Sequence, residues 1–295
     1  MTDGSSPTAN GIQTTGLCLS PQTIDPIISQ ALYEDLGCGD VTTLALVPPD
    51  LQAKGEFVAK EDFVLAGWPL VVRTFQTVSP EAVVESHCRE GAEVSNGSVL
   101  GTVRGPAAGL LSAERVALNF LQRLSGIATL TRKFVKAVSG THASILDTRK
   151  TTPGLRLLEK YAVRVGGGKN HRLGLFDGVL IKDNHIAAAG GVEEAVRRAR
   201  AGTDHLKKIE VEITGFDELE QALKAGADII LLDNMSPGQV RQAVDRVAGQ
   251  VQLEVSGGIS LETVRDYALV GVDFISVGAL THSVKSVDIS LELKV

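Results

Sequence analysis

Short apolar runs separated by helical segments recur through the second half of the chain. Seven of them are predicted to be strands: ASIL (143–146), AVRV (162–165), GVLI (178–181), KIEVEI (208–213), DIILL (228–232), QLEV (252–255) and DFISV (273–277). Intervening segments such as VEEAVRRARA and FDELEQALKAG carry apolar residues at helical spacing. Strand and helix in alternation predict a parallel sheet with right-handed crossovers. Seven strands favour an α/β barrel one unit short of the usual eight, and a doubly wound open sheet is the alternative.

The first half of the chain shows a different pattern. Apolar residues at helical spacing predict a helix within 20–40, and short β-type runs between turn residues predict a small sheet-containing domain over 41–108. Another helix is predicted over 112–124, and Ser125-Gly126 is expected to break it before a further helix. The last segment, VDISLELKV, alternates like an edge strand that returns to this first domain.

Composition argues against several classes of protein. Of the 295 residues 43% are apolar, and no apolar stretch approaches the roughly 18–20 residues of a membrane helix. Residues 1–16 are polar and lack the basic start and apolar core of a secretory signal, so a disordered tail is predicted there. Three widely spaced cysteines, Cys18, Cys38 and Cys88, fit free thiols of a reducing cytoplasm better than a disulfide or zinc framework.

The distribution of charge is more informative than its total. A net charge of −6 argues against a general nucleic-acid binder. Residues 147–185 nevertheless contain eight Lys or Arg and four Asp or Glu, a local +4 that leaves −10 for the remainder. A basic island in an acidic protein is what binding of a small, highly charged anion requires.

The residues at and after the predicted strand ends divide by chemistry. In parallel α/β folds ligands lie at the carboxyl ends of the strands. The first three ends are cationic, the next two carry carboxylates and the last two are rich in glycine. In that order the residues are Asp147, Thr148, Arg149 and Lys150; Lys169, His171 and Arg172; Lys182; Glu210 and Glu212; Asp233; Ser256, Gly257 and Gly258; and Gly278. We therefore expect a site at this edge of the sheet.

Each group has a chemical rationale and a structural alternative. Arg and Lys bind carboxylate or phosphate oxygens, and glycine-rich turns expose backbone N–H groups to a phosphate. Glu212 and Asp233 offer hard oxygen ligands for sugar hydroxyls or for Mg²⁺. The alternatives are that Glu212 faces the core beside a lysine and that His171 and His185 only cap loops. Glu210 shares the face of Glu212 and is the weaker candidate.

A polar stripe also runs along the helix predicted over 112–124. Arg115, Asn119 and either Gln122 or Arg123 share one face by their spacing. Solvent exposure explains such a stripe by default. The alternative is that this face covers the mouth of a barrel, either its own or that of a partner.

Six motifs occur in an order that resembles a known family. They are SAERVALNFLQRLSGIAT, DTRKTTPGLR, NHRLGLFDGVLIKDNH, EVE, LLDNM and EVSGGI. Together they resemble the quinolinate phosphoribosyltransferases, also called carboxylating nicotinate-nucleotide pyrophosphorylases, over roughly residues 20–295. DTRKT followed by HR and KDNH at this spacing is highly specific.

The resemblance implies a fold and an assembly. It implies an N-terminal α/β sandwich domain, formed by residues 17–126 with 284–295, and an incomplete seven-stranded α/β barrel over 127–283. It further implies a homodimer packed head to tail, sometimes arranged into hexamers, with active sites shared between subunits.

The resemblance also implies a reaction and the residues that carry it. Quinolinate and phosphoribosyl pyrophosphate would give nicotinate mononucleotide, pyrophosphate and CO2, with Mg²⁺, in NAD biosynthesis. Quinolinate would be surrounded by Thr148, Arg149, Lys150, His171, Arg172 and Lys182, with Arg115 of a neighbouring subunit. The ribose and its metal would contact Glu212 and Asp233. The 5′-phosphate would lie at Ser256, Gly257 and Gly258 and at Ser276, Val277 and Gly278.

Two rival functions are open at this point. The first is transfer to another aromatic acid or to nicotinate, whose single carboxylate does not explain so many cations. The second is a barrel that binds sugar phosphates without catalysis, which has no need of Glu212, Asp233 or the cluster at Lys182.

Overall fold

The structure, a computed structural model, describes residues 19–295. The disordered tail predicted for residues 1–16 lies outside this range. Among the described residues, no helix combines the length and the apolar character needed to cross a membrane.

Three helices and an antiparallel sheet form the first part of the described chain. The helices are α1 (Pro21–Leu36), α2 (Val41–Leu46) and α3 (Trp68–Val78), and the strands are β1 (Gln52–Ala59), β2 (Phe63–Val64), β3 (Val83–Ser86), β4 (Glu93–Val94) and β5 (Val99–Pro106). The short strands predicted over 41–108 are confirmed. α1 ends at Gly37, whose positive φ of 52° stops the helix as predicted.

The last strand of the chain completes this first sheet. β12 (Ile289–Lys294) pairs antiparallel with β1, and the sheet order is β12-β1-β5-β3, with β2 and β4 paired separately. Phe57, Trp68 and Phe75 pack edge to face beneath it, with ring centroids 5.2 and 5.9 Å apart. The exact division into domains at 126/127 and 283/284 stays a prediction.

A single long helix, α4 (Ala107–Ala137), leads into the second part. The predicted break at Ser125-Gly126 is therefore wrong. The Ser125 hydroxyl is satisfied by the backbone of Ala66, accepting from its N–H at 3.0 Å and donating to its C=O at 3.2 Å. A Cβ at Gly126 would lie 2.3 Å from the carbonyl oxygen of Lys285. Both residues thus allow α4 to pack closely against other segments of the chain, and the helix continues through them.

A six-stranded parallel sheet with helical connections forms the second part. Its strands are β6 (Ser144–Leu146), β7 (Val179–Ile181), β8 (Ile209–Ile213), β9 (Ile229–Asp233), β10 (Gln252–Ser256) and β11 (Phe274–Ser276). The helices are α5 (Arg156–Val165), α6 (Asp183–Ala189), α7 (Val192–Gly202), α8 (Phe216–Lys224), α9 (Pro237–Val247), α10 (Val264–Val270) and α11 (Ala279–His282). The order β6-β11-β10-β9-β8-β7 confirms the predicted parallel α/β sheet.

The sheet has one strand fewer than predicted and does not close into a barrel. The run AVRV (162–165) is wrong as a strand, because it forms the last turn of α5. A run of four residues, three of them apolar, fits a buried helix turn as well as a strand. Beyond Gly166–Gly168 the chain makes only an isolated parallel bridge between Lys169 and Leu146, beside the edge strand β6. β7 is the other edge of the sheet.

The core of this second part lies between the sheet and its helices. Val211, Ile230 and Val255 in the central strands are fully buried. Residues at alternate positions point to the other face of the sheet. Because the strands are parallel, their carboxyl ends lie at one edge, and the polar residues predicted there are brought together.

Candidate active site

A cleft of about 610 Å³ opens at the carboxyl ends of the parallel strands. Its lining combines residues from the ends of β6 to β11 and from the segment after α5. Of the residues predicted from the sequence, it contains Thr148, Arg149, Lys150, His171, Arg172, Lys182, Glu212, Asp233, Ser256, Gly257, Gly258 and Ser276. Side chains that are up to 128 positions apart in sequence thus converge on one cavity, as proposed for the strand ends.

The loop that follows β6 presents two cations and is held by several hydrogen bonds. The Lys150 N–H donates to the Thr148 hydroxyl at 3.1 Å, and the Lys150 C=O accepts from the Thr281 hydroxyl at 2.7 Å. Arg156 donates from Nε to the Thr151 hydroxyl at 2.9 Å. The loop is therefore an ordered platform, and the turn of Pro153-Gly154 that follows lies outside the cleft lining.

Two guanidinium groups in the cleft retain free hydrogen-bonding capacity. The Nε atoms of Arg149 and Arg172 are buried, and neither has a partner within residues 19–295. Arg172 uses one terminal nitrogen to donate to the Gly178 C=O at 3.0 Å. Burial lowers the pKa of Arg172, and the nearby charge of Arg149 lowers it further. Two like charges kept together with unused donors create a strong preference for an anion.

Carboxylates line another part of the cleft. The Lys182 ammonium contacts Glu212 directly, so the alternative of a Glu212–lysine pair is also realised, within the site itself. Asp233, at the end of β9, accepts from the Asn234 side chain at 2.7 Å. His185 lies outside the cleft lining and accepts the Lys182 N–H at 3.0 Å, which is the capping role that was its structural alternative.

The turn after β10 requires glycine for two reasons. Gly257 and Gly258 have φ of +94° and +61°, a conformation that other residues rarely adopt. A Cβ on Gly257 would also lie 2.2 Å from the Asn234 side-chain oxygen. Gly258 has open space around it, so its backbone is accessible to a ligand.

The turn after β11 contributes less than its sequence suggests. Ser276 lines the cleft, whereas Val277 is buried and donates its N–H to the Leu146 C=O at 2.9 Å. Gly278 lies next to the cleft, where a Cβ would come 3.2 Å from Cδ of Lys150. Val277 therefore joins β11 to β6, and no group on it is left over for a ligand.

The stripe on α4 divides into two pairs. Arg123 and Gln122 point into their own chain, because Arg123 bonds to Glu159 and Gln122 donates to the Ile289 C=O at 2.8 Å. Arg115 and Asn119 are exposed, and Arg115 does not line the cleft of its own chain.

A polar cluster that sequence reasoning largely missed reaches the cleft, with His171 and Glu254 in the lining and Glu210 outside it. His171 Nε2 lies 3.0 Å from Glu210 Oε2 and 3.7 Å from Glu254 Oε1, while Nδ1 accepts the Arg172 N–H at 2.7 Å. Burial works against a charged imidazole, but Glu210 and Glu254 raise the pKa of His171. The N–H that points at Nδ1 opposes a proton there, and a neutral ring with its proton on Nε2 satisfies each contact.

The two carboxylates of this cluster affect one another. Burial raises the pKa of Glu254 to about 8, and the neighbouring Glu210 adds to the shift. At neutral pH Glu254 is thus mainly a carboxylic acid. An acid inside the apolar run QLEV was the available signal, and Glu210 was identified only as a weak candidate.

A second buried network fixes the backbone at His171, beside the cationic part of the cleft. The Lys160 amino group contacts Asp147 and donates to the His171 C=O at 3.0 Å, and both side chains are fully buried. Asp147 also accepts the His171 N–H at 2.9 Å and the Asn170 amide at 2.6 Å. Lysine on the apolar face of α5 was the sequence signal for this network.

The fold and the cleft define a class of protein. A parallel α/β sheet whose strand ends gather cations, carboxylates and glycine turns around one cavity is an enzyme scaffold for anionic, phosphate-bearing substrates.

Comparison with known proteins identifies the family within this class. Models of the quinolinate phosphoribosyl transferase N-terminal and C-terminal domains match residues 40–125 and 127–292. A nicotinate-nucleotide pyrophosphorylase [carboxylating] of Mycobacterium leprae is 48% identical over 272 residues, covering 90% of this chain and 95% of the relative. A probable enzyme of that name from Bacillus subtilis is 45% identical over 267 residues, covering 90% and 92%. The crystal structure of NadC from Streptococcus pyogenes matches with a TM-score of 0.91 and 43% identity, covering 95% of this chain and 99% of that one. The chain belongs to the quinolinate phosphoribosyltransferase family.

Proposed function

We propose that this chain transfers the phosphoribosyl group of phosphoribosyl pyrophosphate to quinolinate and removes one carboxylate. The products are nicotinate mononucleotide, pyrophosphate and CO2. The observation that supports this most directly is that the buried Nε atoms of Arg149 and Arg172 have no partner within residues 19–295, and both arginines line the same cleft as Glu212 and Asp233. The cationic part of the cleft complements a dianionic ring acid, and its carboxylates and glycine turns complement the phosphoribosyl donor.

The cationic part of the cleft binds quinolinate in this proposal. Its two carboxylates accept hydrogen bonds from the guanidinium groups of Arg149 and Arg172, and Lys150 supplies a further charge. Thr148 fixes the backbone of Lys150 and so shapes the loop. His171 has both ring nitrogens occupied by protein groups, so it supports this part of the site from below.

Glu212 and Asp233 act on the ribose. The pyridine nitrogen forms a bond to C1′ as the bond from C1′ to pyrophosphate breaks, and positive charge develops on the sugar. Carboxylates held beside the sugar stabilise that charge. Lys182 contacts Glu212 and so keeps its carboxylate oriented in the cleft.

Decarboxylation follows from the chemistry of the quaternised ring. The bond from ring carbon to the adjacent carboxylate breaks, its electron pair stays on carbon and CO2 leaves. A proton then takes the place of the carboxylate. The cationic groups around the ring stabilise the negative charge on carbon, and no covalent enzyme intermediate is required.

The glycine-rich turns hold the 5′-phosphate in this proposal. Gly258 has an open backbone, and Ser256 and Ser276 carry hydroxyl groups beside it in the lining. Val277, whose N–H bonds to Leu146, and Gly278 shape this end of the cleft.

Mg²⁺ fits the donor set at the carboxylate end. Glu212 and Asp233 supply hard oxygen ligands, and a site with one or two carboxylates suits magnesium that is bound mainly by substrate phosphates. When bound, the metal would neutralise charge on the departing pyrophosphate.

We further propose a homodimer, alone or within a hexamer, whose subunits complete each other's sites. Arg115 is exposed on α4 and absent from the cleft of its own chain, which supports a role in the cleft of a neighbour. A residue shared in this way would add a cation to the quinolinate end.

The proposed location is the cytoplasm. Cys38 and Cys88 are free thiols, the form that reducing compartments preserve. Burial raises the pKa of Cys88, so its thiol is a poor nucleophile and needs no catalytic role.

The function is tested by supplying purified protein with phosphoribosyl pyrophosphate, Mg²⁺ and either quinolinate or nicotinate. Nicotinate mononucleotide, pyrophosphate and CO2 in equal amounts from quinolinate are expected. Turnover of nicotinate but not of quinolinate would assign the chain to a different acid. Calorimetric binding of quinolinate with no product would instead indicate a binding barrel.

A further inference from the structure

Glu254 lies in the lining of the cleft, and Glu210, which is separated from it by one strand, lies outside that lining. Glu210 is 5% exposed and Glu254 is 1% exposed. They come from β8 and β10, on either side of β9, and Glu210 is two positions before Glu212 on the same face of its strand. Acids are rarely buried so completely unless they are needed there.

His171 connects this pair to the cationic part of the cleft. Its Nε2 donates to Glu210 at 3.0 Å, and its Nδ1 accepts the Arg172 N–H at 2.7 Å. The imidazole is thus a rigid link between a carboxylate below and a main-chain amide beside the cleft. The backbone of His171 is held independently, since its N–H donates to Asp147 and its C=O accepts from Lys160.

Arg172 is the residue on which this link acts. With its amide fixed by the ring of His171, the direction of its side chain is set, and one terminal nitrogen bonds to Gly178 at 3.0 Å. Its Nε is left without a partner in the described part of the chain. A guanidinium that must meet a planar carboxylate depends strongly on such orientation.

We propose that Glu210 and Glu254 are positioning residues for the quinolinate end of the site. They hold the His171 ring, which orients the peptide and the guanidinium of Arg172 toward the aromatic acid. The inference rests on the proposed function for its substrate. The link through His171 reaches the quinolinate end, whereas Glu254 also faces Ser276 at the phosphoribosyl end.

The two acids are expected to differ in importance. Glu210 Oε2 lies 3.0 Å from His171 Nε2 and accepts its hydrogen bond, whereas the nearest oxygen of Glu254 lies 3.7 Å from that nitrogen. Glutamine keeps the shape of glutamate but replaces one acceptor oxygen by an NH2 donor. Glu210→Gln should therefore disturb His171 more than Glu254→Gln does.

The decisive measurement is the separate KM for each substrate. Glu210→Gln is expected to raise KM for quinolinate about 10-fold, the scale on which loss of a supporting hydrogen bond acts, with KM for phosphoribosyl pyrophosphate changed less than about 2-fold. Glu254→Gln should stay within about 3-fold for both. Equal rises in both KM values, or none, would overturn the positioning role.

A matched control separates positioning from general loss of stability. Glu90 is a carboxylate outside the cleft that accepts N–H bonds from Gly67 and Trp68 and the Tyr161 hydroxyl. Glu90→Gln should lower Tm and leave the KM ratio unchanged. The double variant Glu210→Gln with His171→Asn should bind quinolinate no worse than the more affected of its two single variants, because both changes break the same link. Additive losses would contradict that link.

A spectroscopic test does not depend on the reaction. In ¹⁵N NMR of the wild-type protein, His171 is expected to carry its proton on Nε2, and Glu210→Gln should shift that resonance. A proton on Nδ1 in the wild type would overturn the inference even if quinolinate is turned over. Failure of wild-type turnover with the expected tautomer would reject the proposed function and leave the link intact.

Discussion

Two groups of cations near the end of β6 differ in how many of their hydrogen-bond donors have a partner. Lys160 is fully buried and bonds to Asp147 and to the His171 C=O. Arg149 and Arg172 also bury nitrogen atoms, yet their Nε donors have no partner among residues 19–295. Buried polar groups are nearly always paired, so unpaired cationic donors in a cleft favour an anionic ligand, whereas the paired Lys160 belongs to the supporting frame. We call the network of Lys160 and Asp147 closed, because its groups are paired, and the group of Arg149 and Arg172 open, because their Nε donors have no partner within residues 19–295.

The largest effect is expected from breaking the closed network. Lys160→Met leaves Asp147 as an uncompensated buried charge and should lower the free energy of unfolding by about 3–5 kcal/mol. Equilibrium unfolding in urea measures this change. Asp147→Asn in the same chain should recover part of it, and an unchanged midpoint for Lys160→Met would contradict the assigned role.

The open group should respond in activity and hardly in stability. Arg149→Ala is expected to cost about 2–5 kcal/mol of transition-state stabilisation in kcat/KM for quinolinate, since a desolvated charge pair is lost. Its unfolding midpoint should stay near that of the wild type. Arg198→Ala, which removes an exposed arginine paired with Glu194, is the matched control for net charge. Near-normal kcat/KM for Arg149→Ala would show that this residue only shapes a turn.

The raised pKa of Glu254 predicts that stability depends on pH. Glu254, which faces Glu210, His171 and Ser276, keeps its proton in the folded state up to a pKa of about 8, whereas the unfolded value is 4.5. The folded state binds more protons between these values. Stability should therefore fall as pH rises through this window, by at most about 1.4 kcal/mol per pH unit from this group. The difference between wild type and Glu254→Gln isolates the effect, and identical slopes would exclude it.

The smallest signal concerns Arg115, an exposed cation that does not line the cleft of its own chain. Arg115→Ala and Lys182→Ala should each be inactive alone. Unfolded and refolded together, they should regain about a quarter of wild-type activity, because half of a random mixture is heterodimer with one intact site. Mixed dimers demonstrated by affinity tags but lacking activity would rule out sharing of Arg115.

The sequence predicts the parallel sheet well because its central strands are buried on both faces. DIILL is a nearly continuous apolar run, and in KIEVEI and QLEV apolar residues are interrupted by charged or polar ones; β8, β9 and β10 lie there. AVRV carries the same signal but forms a helix turn, since four residues do not distinguish the two periods. Most residues of the cleft lining could be predicted from the rule that ligands lie at the carboxyl ends of parallel strands.

Other features depend on partners that are distant in the sequence. The links from His171 to Glu210 and Glu254 join residues that are 39 and 83 positions apart. The Val277 N–H is committed to Leu146, a pairing that appears only when β11 meets β6. Ser125-Gly126 reads as a break because the residues that fill its surroundings, Ala66 and Lys285, lie elsewhere in the chain.

The position of β12 has a consequence for how the molecule is made. Lys54 in β1 lies opposite Lys294 in β12, a strand that follows the whole parallel sheet in the sequence. The first sheet therefore lacks β12 until residues 289–294 have been synthesised, and until then the edge of β1 is open to other chains. Deleting residues 289–295 should leave the parallel sheet able to form while making the newly made protein aggregate. The sheet that begins first is thus completed only after the second sheet has been synthesised.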